Sequence, residues 1–495
     1  MKKRVWILTT FVIAGLIGGC KVGPNYKRPV VATPASYRGA LAPDIAANAG
    51  TTTPLGTQTW ETVFTDPALQ DLIREALKNN YDVKIAADRV LEEQAQVGIT
   101  KAAQYPTLSA GGTYTALGLP SGLLDSLNNN SASSSGSSGG SKRSTSNNYY
   151  SGGLTASVAW NLDFWGYYRR QSEAARASLR ATEWARQTTY STLVESVATS
   201  YYQLRTLDAE LAITKSTLGA RKQSLELTQK LEQGGADSLA DVRQAEELYY
   251  TTQAQIPDLE RQIEQQENNL SVLLGRAPGP IARGGTKDGE GGGSIAEAPH
   301  PADVPVGLPS DLLERRPDVR RAEELLVQAN ANIGVARAEY FPQLSLSGTG
   351  GTSSNMLRGL VDSSNVYYYA VGSVAQPIFD AGRIRSNYRL AEATHKQLLD
   401  TYQQTVAGAL RDVSNALVAY NKTRAYRDQQ EKQTAAATDA VRLARMRYNG
   451  GYTSYLEVLT TDTNLYTSQL TLEGAEQQEA LSLVQLYNAL GGGWK

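Results

Sequence analysis

The chain is poor in the residues that build metal and redox sites. Its 495 residues include one cysteine, two histidines and three methionines. One cysteine excludes an intrachain disulfide. His300 and His395 lie 95 residues apart with no motif around either, which excludes a His/Cys metal site. Three methionines are too few to line a soft-metal path. Neither sign of charge dominates: Lys plus Arg is 48 and Asp plus Glu is 49. That balance excludes nucleic acid held on a basic face. Beyond the first twenty residues no run approaches 18 apolar residues, so no transmembrane helix is predicted. Walker A and HExxH are missing. The doublets Glu92-Glu93, Glu246-Glu247 and Glu323-Glu324 point different ways on a helix and read as solvated surface. The sequence therefore predicts no catalytic site, no cofactor and no bound metal. Phe is scarce, 5 against 27 Tyr, and Tyr suits places where a ring is dry at one end and wet at the other.

What is present begins with an address. Lys2, Lys3 and Arg4 precede a short apolar run, Trp6 to Ile17, which ends in Gly18-Gly19-Cys20. Small residues before a cysteine, after such a run, look like a lipobox. The expectation is a signal peptide over 1–19 and an acylated Cys20 as the mature N-terminus. Losing three basic residues with the signal moves the net charge from -1 to -4. Lys21, rather than Asp, favours the outer membrane of a bacterial envelope.

The remainder reads as one unit written twice. Residues 77–109 align with 313–345 at an offset of 236: Asp82-Val83 on Asp318-Val319, Gly98 on Gly334, Tyr105-Pro106 on Phe341-Pro342. Further along the offset is 216: Gly166 on Gly382, Gly234-Gly235 on Gly450-Gly451, Leu274-Gly275 on Leu490-Gly491. Two constant offsets indicate an internal duplication with 20 extra residues in the first copy. Those residues fall where Asn128 to Asn148 is nearly pure Ser, Gly and Asn, a surface-loop composition. The expected division is an extended segment over 20–65, a first repeat over 66–274, a Pro/Gly linker over 275–309 and a second repeat over 310–490.

Each repeat predicts helix, strand, loop, strand, very long helix, turn, helix. Val83, Ala86, Ala87, Val90, Leu91 and Val97 recur at helical spacing until Pro106. Leu108, Ala110, Gly112, Tyr114 and Ala116 then alternate with polar residues. Leu154, Ala156, Val158, Trp160 and Leu162 do so after the loop. Strands are expected near 106–116, 152–164, 342–350 and 366–379, the last with ambiguous faces. Their length suits a tilted membrane strand, and aromatics flank them: Tyr149, Tyr150 and Tyr367 to Tyr369 at one end, Tyr105, Phe164, Trp165 and Phe341 at the other. A half-buried soluble sheet alternates in the same way. The long helices argue against it. Tyr190, Val197, Leu204, Leu211, Leu218 and Leu225 form a seven-residue stripe, as do Val242, Tyr249, Ile256, Ile263 and Leu270. Helices are expected near 166–231, 238–274, 382–447 and 454–490, with a local kink at Pro257.

Four strands cannot close a membrane barrel, and open edges cannot face lipid, so the chain must oligomerise. Two copies give eight strands and a filled bore; three give twelve and an open lumen. The fold class expected is an α+β membrane protein.

At this point the residues resemble a known family. Cys20-Lys21-Val22-Gly23-Pro24-Asn25-Tyr26-Lys27-Arg28-Pro29 is similar to the mature start of TolC-like outer-membrane factors of the NodT-type efflux lipoprotein group. Gly307-Leu308-Pro309-Ser310-Asp311-Leu312-Leu313-Glu314-Arg315-Arg316-Pro317-Asp318 resembles that group's most recognisable internal segment. The resemblance implies a homotrimer: a twelve-stranded barrel in the outer membrane, continuous with an α-helical periplasmic tunnel. It implies an inner-membrane RND-type pump and a periplasmic membrane-fusion adaptor as partners, outer-membrane lipid around the barrel, and passive conduction. Loops 121–148 and 352–364 are then expected outside the cell. Two other readings stand beside it, an exit duct for type I protein secretion and a coiled-coil envelope lipoprotein without a pore.

The resemblance also implies a periplasmic gate at the helical turns, 232–241 and 448–460. Asp241 matches the family's acid in the first hairpin, Tyr448 the tyrosine it bonds, and Glu457 an acid of the closing ring; Asp241 also reads as a first-turn acid favoured by the helix dipole alone. Thr453 and Thr460 stand where some members have a gating Arg and a second acid, so fewer charges are expected to hold the gate. Asp462 cannot replace position 460, because two residues along a helix turn a side chain by about 200°.

Overall fold

The computed structural model describes residues 21–34, 36–38, 54–118, 148–283 and 309–494. Cys20 and the Ser/Gly loop before Asn148 lie outside the described residues. After a one-turn helix, Trp60–Val63, come α1 (Pro67–Asn79), α2 (Tyr81–Ala102), β1 (Thr107–Gly118) and β2 (Asn148–Leu162). Then follow α3 (Tyr167–Gln233), α4 (Leu239–Leu273), α5 (Pro309–Arg315), α6 (Pro317–Ala338), β3 (Gln343–Ser354), β4 (Val366–Ala375), α7 (Arg383–Asn449) and α8 (Tyr455–Ala489). α2, β1, α3 and α4 recur as α6, β3, α7 and α8, displaced by 236 residues for the first two and 216 for the last two. No described helix is long and apolar enough to cross a membrane.

Local chemistry sets the boundaries. Asp66 caps α1 by accepting the Ala68 amide at 2.9 Å, with Pro67 at the first helical position. Asn80 ends α1 and starts α2, its Oδ1 accepting the amides of Asp82 at 2.7 Å and Val83 at 3.2 Å. Asp163 and Asp380 serve the starts of α3 and α7: Asp163 accepts the Arg169 amide at 2.8 Å and Asp380 the Ile384 amide at 2.8 Å. β4 ends at Ala375, short of the expected 379, because Pro377 has no amide hydrogen for a ladder. β2 starts at Asn148, four residues before the alternation places it. Pro257 lies inside α4, which runs through it.

The described chain divides into two compact units. One comprises the described residues of Met1–Tyr26, Gln94–Ala177 and Val327–Lys396; the other comprises Lys27–Glu93, Ser178–Leu326 and the described residues of Gln397–Lys495.

The first unit holds the sheet, antiparallel throughout, in the order β1-β2-β3-β4. The register aligns like with like. Leu108 pairs with Val158 and Ala110 with Ala156. Trp160 pairs with Leu346 and Leu162 with Leu344. Leu344 in turn pairs with Val374, which puts Val374, Ala370, Tyr368 and Val366 on the apolar face and resolves the ambiguous fourth strand. The opposite face carries hydroxyl pairs, Ser109 with Ser157 at 2.7 Å and Ser345 with Ser373 at 2.6 Å. Leu360 lies over Gly152 at the loop end, and most of the apolar face is otherwise bare: Leu108 is 80% exposed, Tyr368 89% and Val374 70%. Trp165 stacks on Phe341 at 4.7 Å between ring centroids and donates to the Pro342 carbonyl at 2.8 Å.

The second unit holds the helical core. Phe64, Leu69, Ile73, Tyr201, Leu204, Leu270, Tyr420 and Tyr487 are buried in it. Phe64 meets Tyr487 edge-on at 5.7 Å, and the Tyr201 hydroxyl donates to Asp66 at 2.5 Å. The α3 stripe changes character along its length. Val197 and Leu204 are buried, whereas farther on the buried positions are Thr214, Arg221 and Thr228, and Leu211, Leu218 and Leu225 are half-buried.

Candidate functional site

The candidate site is the pair of turns that join α3 to α4 and α7 to α8, both within the second unit. Each turn is built the same way. The Gly234 amide donates to the Lys230 carbonyl at 3.1 Å and the Ala236 amide to Leu231 at 2.8 Å, with Gly235 at φ +74°. In the second turn Gly450 donates to Met446 at 3.1 Å and Tyr452 to Arg447 at 2.9 Å, with Gly451 at φ +75°. Left-handed backbone just past a helix end is what glycine permits and other residues resist. Ser238 and Ser454 then stand at the N-cap positions of the return helices, and of the two only the Ser238 side chain makes a capping bond.

Of the expected gate residues, Tyr448 acquires a partner different from the one the resemblance implies. Its hydroxyl donates to Asp237 Oδ2 at 2.5 Å. Asp241 is engaged locally. Its carboxylate accepts from the Ser238 hydroxyl at 2.6 Å and the Ser238 amide at 3.2 Å, while its own amide donates to Ser238 Oγ at 3.3 Å. That is a capping box, and Ser238-x-x-Asp241 carries its sequence signature. The physical reason for the change is position: Asp241 is the third residue of α4 and is held by the cap, whereas Asp237 sits in the turn, free to face the other hairpin. Burial and the Asp237 carboxylate hold the Tyr448 phenol above its ordinary pKa. Glu457 accepts from Arg447 Nη1 at 2.9 Å and from the Thr453 hydroxyl, so both its partners lie on its own hairpin. The Thr460 hydroxyl turns back to the Leu456 carbonyl at 2.8 Å.

Two further layers join the hairpins. Ala245, Ala444, Tyr455 and Val458 form a buried apolar cluster, with Leu225, Tyr448 and Leu459 packed around it, so all four helices contribute. Next to it lies a buried charge cluster that the sequence reading missed. Arg221 of α3 donates through Nε to Asp462 of α8 at 3.0 Å, and through Nη1 to Thr252 of α4 at 2.5 Å. Arg445 of α7 reaches Asp462 at 3.1 Å. The side chains of Arg221 and Asp462 are 6% and 13% exposed. The Arg221 guanidinium also lies 5.2 Å from the centre of the Tyr466 ring, an arrangement that favours a cation. Asp462 thus binds partners on two other helices, and Arg221 spans three. A search for apolar heptads passes over Arg221; its signal is that Thr214, Arg221 and Thr228 are themselves seven apart.

Chemically the arrangement can hold helices, not transform a molecule. Among the described residues no group of three His, Cys, Asp or Glu side chains could hold a metal ion.

The sequence model of the outer membrane efflux protein family matches residues 72–276 and 308–492. The cation efflux system protein CusC of Escherichia coli O6:H1 is 32% identical over 493 residues, covering 99% of both chains. The solvent efflux pump outer membrane protein SrpC of Pseudomonas putida is 34% identical over 490 residues, covering 97% of this chain and 96% of that one. The crystal structure of the open state of the Neisseria gonorrhoeae MtrE outer membrane channel superposes with a TM-score of 0.82 at 28% identity, covering 96% of this chain and 99% of the other. The two matched segments span the repeats, and the similarity runs through sheet and helices alike. The chain belongs to the outer membrane efflux protein family, whose members conduct across the outer membrane and do not catalyse.

Proposed function

We propose that three copies of this chain form the exit duct of a tripartite efflux system, a twelve-stranded barrel continuous with a helical periplasmic tunnel. The observation that carries this reading is the open sheet. β1 and β4 are its outer strands, and most of its apolar face is bare. Lipid accepts neither an unpaired strand edge nor an open sheet. Twelve strands close a bore wide enough to stay wet, and the hydroxyl-bearing face suits that lumen. The two repeats, 66–274 and 310–490, joined by 275–309, are copies from one duplication. Energy comes from an inner-membrane RND-type pump, delivered through a membrane-fusion adaptor.

The loops at 121–148 and 352–364 face outside the cell in this reading. Cys20 carries the acyl groups that, with the barrel, hold the chain in the outer membrane. The turns form a closure in which Tyr448 and Asp237 latch the first hairpin to the second, while Glu457 and Arg447 brace the second. CusC and SrpC are named for cations and for solvent at similar identity, so the cargo class follows the pump rather than the duct.

The test is assembly and conduction. The purified protein should run as a heat-modifiable trimer and form ion-conducting pores in planar bilayers. A monomer that inserts without conducting would overturn the reading. Intact mass should show acylated Cys20 at the mature N-terminus, and an unmodified chain starting elsewhere removes the anchor. An epitope near Ser135 should be reached by antibody on intact cells.

A further inference from the structure

Arg170, near the start of α3, is fully buried, and a buried guanidinium must find acceptors for its N–H groups. It finds most of them in one short stretch of chain. Nε donates to the Val22 carbonyl at 3.1 Å, and Nη2 to the Gly23 carbonyl at 3.0 Å and Asn25 Oδ1 at 3.2 Å. Nη1 donates to Glu173 at 3.0 Å, and Glu173 in turn holds the Lys21 ammonium at 2.5 Å. Those two cations lower the Glu173 pKa against the burial that raises it. Other groups complete the grip. Asn330 Nδ2 donates to the Pro24 carbonyl at 3.0 Å, and the Val22 amide donates to the Trp165 carbonyl at 3.1 Å.

Shape enforces the same register. Gly23 has φ +102°, and a Cβ there would lie 2.5 Å from the Gly334 Cα. A Cβ on Gly334 would lie 2.8 Å from Arg170 Nε. Gly166, at φ +83°, leaves room for Lys21, whose Cα would be 3.2 Å from an added Cβ. Residues 21–25 therefore lie in a fitted slot of the first unit, formed by the β2–α3 junction, Arg170 and one face of α6. The slot reads backbone carbonyls and an absent side chain, as a peptide-binding site does.

We propose that this slot is a docking site for the mature N-terminus, and that it holds the residues after Cys20 at the β2–α3 junction by peptide contacts, independently of the acyl chains. The proposal rests on the reading that the mature chain begins at Cys20. Acylation then sets the membrane affinity, whereas the slot sets where on the protein the lipid leaves. The Arg170 side chain is the positioning element, and the glycines at 23 and 334 are the fit.

The experiment is limited proteolysis of the purified full-length trimer with a lysine-specific protease, reading cleavage after Lys21 by mass spectrometry. Cleavage in native protein follows the population of the open segment when reclosing is fast, and each tenfold is one 1.4 kcal/mol step, so Gly23→Ala, Gly334→Ala and Arg170→Met should each accelerate it by about tenfold or more. Gly334→Ala carries a second safeguard: alanine is the better helix former, so α6 itself is not weakened. Arg170→Lys should be nearly as open as Arg170→Met, since an ammonium cannot reproduce the planar fork. Cys20→Ala, routed through an ordinary signal peptide, should stay closed. If the unacylated protein is cut as fast as the glycine variants, the lipid holds the segment and the proposal is wrong. If both glycine variants remain protected in heat-modifiable trimers, the slot does not bind. An unacylated wild-type N-terminus by intact mass would sink the lipidation reading alone, leaving the cleavage result to be read by itself.

Discussion

The two hairpin turns share one backbone and differ in almost every side chain that matters. At the offset of 216, Gly235 falls on Gly451 and Ser238 on Ser454, and their geometry agrees closely. Asp237, however, falls on Thr453, Glu232 on Tyr448, Arg221 on Ala437 and Gln229 on Arg445. The first turn supplies the acceptor, Asp237, and the second the donor, Tyr448. The first long helix supplies the buried cation and the second return helix the acid. Two identical copies would have faced each other with like groups. The two hairpins are complementary where they differ, so the scaffold comes from their shared backbone geometry and the contacts from their asymmetry.

The largest effect should come from the buried charges. Removing one partner of a buried ion pair leaves the other unpaired, at a cost of about 3–5 kcal/mol. Asp462→Asn or Arg221→Met should therefore strongly lower the melting temperature of the protein in detergent. Arg221→Met with Asp462→Leu should recover much of the loss. Equal stability in single and double variants would mean that the cluster is not a coupled pair.

Next comes the shared backbone. An added Cβ at Gly235 or Gly451 meets nothing within 4 Å, so alanine there probes conformation alone. Left-handed backbone costs an L-residue about 1–2 kcal/mol, and the two substitutions should cost the same. A clear inequality in thermal stability would break the equivalence of the turns.

The proposed latch of Tyr448 and Asp237 should show more in conduction than in stability. A hydrogen bond to a charged group contributes about 1.5–3 kcal/mol when well made, less for one half-open to water. Asp237→Ala and Tyr448→Phe should each raise single-channel conductance, and the double variant should add little to either. Asp241→Ala should instead cost about 1 kcal/mol as a lost cap and act additively with Tyr448→Phe. Additivity of the Asp237 pair, with coupling between Asp241 and Tyr448, would restore the acid that the family resemblance points to.

Much of this architecture is legible in the residues. Alternation places β1 and β2, since Leu108 to Ala116 and Leu154 to Leu162 can face one way only in a pleated strand. Constant offsets transfer those assignments to the second copy. The faces of β4 are not legible alone, because Val366 to Ala375 is apolar or aromatic on both sides; only pairing Leu344 with Val374 assigns them. The return of chain at 234–235 is legible from the glycines. The Tyr448–Asp237 hydrogen bond between the hairpins is not legible, because the motif pairs Tyr448 with Asp241 instead. Ser238 and Asp241 satisfy each other locally, as the spacing Ser238-x-x-Asp241 itself signals. Arg221 was invisible because a buried seam was sought among apolar residues, whereas its helix buries Thr214, Arg221 and Thr228.

Pro257 and Glu473 stand at positions that the same offset of 216 relates. The first copy has an exposed proline there and the second a half-buried glutamate. Burial, with the Glu476 and Glu210 carboxylates nearby, pushes Glu473 up to about 7. Its Oε2 is buried without a hydrogen-bond partner, which suits a protonated carboxyl better than a charged one. The sign follows from linkage. The folded value lies above the unfolded one, so the native state holds the proton more tightly. The stabilisation is fully present below the unfolded value, near 4.3, and is lost as pH rises through about 7. The protein should therefore melt higher at pH 5.5 than at pH 8 from this group. Glu473→Gln, a neutral isostere, should erase that difference by raising the melting temperature more at pH 8 than at pH 5.5, with the least change near pH 4. A variant whose loss or gain is the same at both values would show that Glu473 does not titrate in this range.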